Sequence, residues 1–143
     1  MTETRADFEL SKLAKEAGFD WLTNIYYEKE TSDYMIGGAG WFDWNSTIGV
    51  SAPTLSHLSM WLREVHGLHC AGELSNVISD RDIWVGCYST LNNPMTLRRK
   101  LVLQSGNTAA YFDAHDLALS AALTEACKII IERKKTNNEP ANN

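Results

Sequence analysis

The stretch from Ala52 to Cys70, APTLSHLSMWLREVHGLHC, constrains the chain most, because one run holds a helix start, an apolar stripe and a helix stop. Thr54 is placed to cap the helix, and Pro53 before it pushes the chain into an extended entry. At about 100° per residue, Leu55, Leu58, Trp61, Leu62 and Val65 fall within one arc of roughly 120°, the stripe of a helix that faces a core. Gly67 ends the helix. Ser56, His57, Arg63 and Glu64 lie outside the stripe, towards solvent, and Met60 lies nearly opposite it. Behind the stop, Leu68, Cys70 and Leu74 alternate with His69, Ala71 and Glu73, which predicts a strand with one buried face.

The rest of the chain is organised around this unit. Leu10, Leu13, Ala14 and Ala17 recur at helical spacing, so Asp7–Ala17 is expected to be a helix. Gly18 then suits a left-handed stop, with Phe19 folding back on the last turn. Residues 24–30, NIYYEKE, read as a strand. From Thr31 to Pro53 two readings stand. Gly37, Gly38 and Gly40 with Trp41, Phe42 and Trp44 form either a strand pair with a Gly-rich turn or a long ordered loop. Ser75–Asp82 reads as a turn. Ile83–Ser89 is apolar on both sides, as in a central strand or one with a face covered by another element. Leu91–Thr96 is a loop. Arg99–Gln104 is a third strand, whose charges suit an edge. Asp113 is expected to cap a last helix running to about Lys134. Its buried face is Leu119, Ala122, Leu123, Ala126, Cys127 and Ile130, and the alanines allow close approach to a sheet. Leu117 and Ile131 fall off that face and hint at a second contact. Residues 136–143 read as a disordered polar tail after a single domain over 1–135. The fold class is therefore α+β: a short N-terminal helix, an antiparallel sheet of three to five strands, and two main helices packed on it.

The chain has 143 residues and a net charge of −5, which makes free nucleic acid a poor default partner. Residues 1–30 carry seven acids against four bases, and residues 31–97 six against two. Residues 98–135 reverse the balance through Arg98, Arg99, Lys100, Lys128, Arg133, Lys134 and Lys135. Cations at a helix end are the ordinary reading, since they complement the helix dipole. The alternative is a small phosphate- or nucleic-acid-binding patch. Cys70, Cys87 and Cys127 have no paired spacing, so a disulfide framework is not expected. The first ten residues, MTETRADFEL, lack the apolar core of a signal segment, and no apolar run reaches the ~18 residues of a membrane span. The expected setting is a reducing cytoplasm.

Reaction chemistry finds little support. His66, His69 and Cys70 are close in sequence, yet they lack metal-ligand spacing and a fourth ligand, and His69 and Cys70 point to opposite faces of a strand. No nucleophile signature occurs, and nothing local brings Cys87 to His115. Asp80 and Asp82 read as solvated turn residues. The Gly37–Gly40 run is followed by Trp41-Phe42-Asp43-Trp44, and so lacks both the Lys of a phosphate loop and the helix of a dinucleotide site. Neither a cofactor nor a metal is expected. The aromatic group has two readings. The favoured one is that Trp41, Phe42 and Trp44 cover the sheet as core. The other is a binding surface, joined by Met60 and Arg63 on the outer side of the Ala52–Cys70 helix.

From Thr54 onward the helix, three strands, helix order resembles double-stranded-RNA-binding domains. Those start their last helix with lysines, where this chain has Asp113-Ala114-His115-Asp116. A second resemblance rests on Gly18-Phe19-Asp20, Ala52-Pro53-Thr54-Leu55-Ser56, Trp61-Leu62-Arg63-Glu64-Val65-His66 and Tyr111-Phe112-Asp113-Ala114-His115-Asp116-Leu117-Ala118-Leu119. These segments look like a family of small uncharacterised proteins of bacteriophages, prophages and bacterial mobile elements. Members start the last helix with a Tyr-Glu-Glu-Ala-like run, which this chain replaces. The resemblance implies an accessory protein and carries over no functional residues. The leading expectation is a small non-enzymatic interaction protein that meets a protein partner or its own copy. A nucleic-acid-associated module using Arg98–Lys100 and Arg133–Lys135, and an enzyme of unrecognised type, are the alternatives.

Overall fold

Asp7 opens the first helix, α1 (Phe8–Ala17), by accepting the Leu10 N–H on its carboxylate at 2.8 Å. Gly18 closes it at φ 100°, and the Phe19 N–H reaches back to the Ala14 carbonyl at 2.9 Å, the expected stop. The computed structural model describes residues 4–28, 34–36, 40–47, 49–75, 83–90, 100–105 and 108–138. The expectations for Gly37, Gly38, Arg98, Arg99 and the 76–82 and 91–96 segments lie outside the described residues.

The helix in the opening stretch, α2 (Leu55–His66), starts and stops where its sequence indicates. The Thr54 hydroxyl accepts the His57 N–H at 3.2 Å, and Gly67 takes φ 65° with its N–H on the Arg63 carbonyl. Leu55, Leu58, Trp61 and Leu62 are buried. Val65, expected in the same stripe, is 53% exposed. At that end His66 takes the inner contact instead, its ring edge-on to Trp61 at 4.7 Å.

Strand β4 (Leu68–Ser75) pairs with β5 (Ile83–Thr90) along its whole length, and β5 pairs with β6 (Lys100–Leu101), so β5 is central. Leu68 and Cys70 are buried, but Leu74 is 48% exposed. It lies two residues past Gly72, where the first residue of the last helix, His115, ends the cover. The strand expected over Arg99–Gln104 divides at Val102. Beyond it, β7 (Leu103–Ser105) turns to pair with β8 (Thr108–Ala109), while the Val102 N–H still bonds the Gly86 carbonyl at 2.9 Å. The region with two readings holds both strands and loop. Strand β1 (Ile25–Tyr27) runs between β2 (Tyr34–Ile36) and β3 (Val50–Ser51), antiparallel to each, with a 3-10 turn at Trp44–Ser46 before β3. Arg5 ties the amino-terminal segment on, donating to the Ala52 carbonyl at 2.9 Å and to Asn24 at 3.2 Å.

The last helix, α3 (His115–Asn138), begins two residues after Asp113, which is exposed, and runs past Lys134. Residues 136–138, expected in the polar tail, are therefore helical. Ala118, Ala122, Leu123, Ala126, Cys127 and Ile130 are buried against β4, β5, α2 and α1. Because α1 adds a second inner side, Ile131 is buried as well, while Leu117 stays 57% exposed. The approach is as close as the alanines suggest. A Cβ on Gly86 would lie 2.5 Å from the Ala118 carbonyl oxygen, and one on Gly72 2.8 Å from that of His115. The chain is thus α+β, with antiparallel pairing shared among sheets of three, three and two strands among the described residues.

Candidate functional site

The loop between β2 and β3 holds two large aromatic side chains in solvent. Trp41 is 60% exposed and Phe42 47%. This corrects the reading of both residues as core. Trp44 is half-buried, stacked on Tyr26 with centroids 4.3 Å apart, and it donates its indole N–H to the Thr23 carbonyl at 2.9 Å. The loop is held from behind. Thr23, fully buried, exchanges both backbone bonds with Phe42 at 3.0 Å. The Asn45 amide donates to the Phe19 carbonyl at 2.8 Å and accepts the Ser51 N–H at 2.8 Å. The Lys15 ammonium, at the end of α1, donates to the Gly49 and Thr47 carbonyls at 2.7 and 3.2 Å. The aromatic run is thus fixed through its backbone and Trp44, with the side chains of Trp41 and Phe42 exposed.

Trp41 does not stand alone. Its indole meets His57 of α2 edge-on at 6.3 Å, and Trp21 meets the same imidazole at 5.3 Å with the planes 40° apart. Buried Phe19 touches His57 from below at 5.8 Å and continues into Trp61. Asp20, Trp21, Leu22, Trp41 and His57 line an open hollow of about 450 Å³. Trp41 and His57 stand across it from separate segments, joined by the residues that follow the α1 stop. The sequence reading placed His57 towards solvent and did not single out Asp20, Trp21 or Leu22. The available signal was weak: Gly18 redirects the chain, so an apolar Trp21-Leu22 pair directly after it must meet another element.

The other proposed surface residues are only loosely connected to this site. Met60 is 43% exposed and follows His57 by one helical turn, and Arg63 is exposed a further turn along. Phe42 reaches Trp44 edge-on at 5.0 Å.

Elsewhere, among the described residues, the candidate reactive groups are held apart or buried. His69 is exposed and Cys70 buried on the opposite face, and among the described residues no three His, Cys, Asp or Glu side chains converge as a metal site requires. Burial, followed by the neighbouring Cys127 and Cys87, pushes the Cys70 thiol up to about 12, and burial does the same to Cys127. Neither is a nucleophile at neutral pH. Cys87 turns to the Ala71 carbonyl, while His115 sits over Gly72 on the helix-covered face, so the two are apart. Asp116 accepts from the Thr4 hydroxyl and lies 3.1 Å from His115 Nδ1, and these two bonds, Thr4's first, hold its carboxyl below 3.8. The carboxylate, not the imidazole, is beside the hydroxyl, which is the wrong order for activating a nucleophile.

Lys128, Lys134 and Lys135 have local contacts. Lys134 lies at the end of α1, where a Cβ on Gly18 would come within 2.8 Å of its ammonium. Burial, then Lys134 and Arg133, hold His66 below 6.5. Lys128 faces Glu125 at 3.7 Å and Lys135 faces Glu132 at 3.5 Å. Among the described residues no helix is long and apolar enough to cross a membrane. No family model, curated protein or solved structure matches the chain.

Proposed function

We propose that this chain is a small non-enzymatic interaction protein that docks a protein partner, or a second copy of itself, on the surface of Trp21, Leu22, Trp41, Phe42 and His57. One observation carries the reading: a loop bonded internally to buried backbone groups holds Trp41 and Phe42 outward. Large aromatic side chains in an exposed group are the usual anchors of interfaces. A loop already fixed in place loses little further freedom on binding, so more of the contact energy appears as affinity. From the sequence resemblance to small phage and mobile-element proteins we further propose an accessory role, and the buried thiols of Cys70 and Cys127 fit a reducing cytoplasm.

The test compares the native chain with a Trp41→Ser/Phe42→Ser variant by light scattering and by capture from the source cell with mass spectrometry. Self-association or a specific partner that the double substitution removes is the expected result. A strict monomer whose co-purifying proteins are unchanged by the substitution overturns it. Gene neighbourhood tests the accessory role separately, with mobile-element genes expected on either side.

A further inference from the structure

We propose that the hollow between Trp21 and Trp41 receives the guanidinium of an arginine side chain presented by a protein partner, an inference that rests on the interaction surface proposed above. Two indoles and an imidazole supply electron-rich faces, and indole is the strongest of the side-chain rings for a cation. Asp20 adds a carboxylate to the same lining, and it is exposed and has no ion pair among the described residues. The chain as a whole has the same sign, with a net charge of −5.

The shape selects among cations. The indoles meet one imidazole at different tilts, 40° for Trp21 and 72° for Trp41, and the hollow is open to solvent. A trimethylated ammonium has no N–H to donate, so it gains no hydrogen bond from Asp20. A planar guanidinium needs one ring to stack on and an acceptor for its fork of N–H donors, and the lining holds both kinds of group in Trp41 and Asp20. A neutral sugar would want several hydrogen-bonding side chains, and the lining offers only Asp20 and His57.

The experiment follows the tryptophan indole N–H signals by NMR while N-acetylarginine amide, N-acetylcitrulline amide or N-acetyltrimethyllysine amide is added. Citrulline keeps the shape of arginine and removes the charge. The arginine probe should shift the Trp41 and Trp21 signals saturably in the millimolar range, at least about fivefold more tightly than citrulline. Asp20→Asn should weaken arginine about fivefold and leave citrulline unchanged, and Trp41→Ala should remove both shifts with the remaining indole signals in place. Equal binding of arginine and citrulline, no saturable shift, or tighter binding of trimethyllysine overturns the assignment. If these fail while the Trp41→Ser/Phe42→Ser variant still loses its partner, the arginine assignment falls and the interaction surface stands.

Discussion

Gly86 and Gly72 set how near α3 lies to the sheet. At Gly86 an added Cβ would meet the Ala118 carbonyl oxygen at 2.5 Å, with Val102 and the Ala122 N–H behind it. Backbone cannot step aside as a side chain end can, so Gly86→Ala must lift the helix. The cost should be about 1–3 kcal/mol, read as a lower urea midpoint at unchanged slope. Gly40→Ala is the control: nothing lies within 4 Å of that position, so its midpoint should stay within about 0.5 kcal/mol of the parent. Equal midpoints for the two variants would show that α3 does not rest on Gly86. The buried thiols give a pH-dependent counterpart. Cys70 and Cys127 are raised from 9.0 to about 12, so the folded chain keeps protons there that the unfolded chain releases. Their contribution to stability is complete below pH 9.0 and is lost as pH rises towards about 12. Denaturant midpoints should fall across that window, and less steeply in Cys127→Ala. A flat alkaline profile would show that burial does not hold these protons.

At the scale of elements, legibility followed local signals. Helices α1 and α2 were readable at both ends because Asp7, Gly18, Thr54 and Gly67 each act within a few residues of themselves. Periodicity gives the direction of a side chain but not what it meets. Val65 and Leu74 point inward by pattern and outward in fact, Val65 because His66 takes the inner contact on Trp61, and Leu74 because the last helix begins over Gly72 and does not reach it. The break at Val102 was illegible for a similar reason, since its N–H is satisfied by distant Gly86. The aromatic loop was only half legible. Its residues were visible as a group, but whether Trp41, Phe42 and Trp44 were core depended on Thr23 and Lys15, which hold the loop from outside it, and on Asn45 reaching from it to the Phe19 carbonyl. Asp20, Trp21 and His57 were missed because the hollow joins three segments that no local spacing links. The roles within the loop now separate. Trp44 both stacks on Tyr26 and bonds Thr23, so Trp44→Ala should cost about 2 kcal/mol in stability as well as binding. Trp41→Ala should cost under about 0.5 kcal/mol and lose binding alone. Thermal melts of the two variants beside a binding assay decide the point, and equal destabilisation would mean Trp41 is structural.

Across the whole molecule, one aromatic path runs from the core to the proposed interaction surface. Trp61 is 1% exposed beside α3, Phe19 and His57 carry the contact outward, and Trp41 stands 60% exposed at the tip. With a net charge of −5 and Asp20 in the lining beside Trp41, cations are expected to concentrate near Trp41 and anions to thin out. A charged fluorescence quencher should sense both facts together. At low ionic strength caesium ion should reach Trp41 more readily than iodide does, after each is normalised to its quenching of free tryptophan amide. Trp41→Phe should remove most of the caesium-accessible emission, because Trp61 is closed and Trp21, Trp44 and Trp84 are partly covered. Asp20→Asn should narrow the gap between the two ions, and about 0.5 M salt should nearly close it, since the field is then screened within a few ångströms. Iodide outperforming caesium at low salt would place a net positive field over the hollow, and an arginine would then have no reason to enter it.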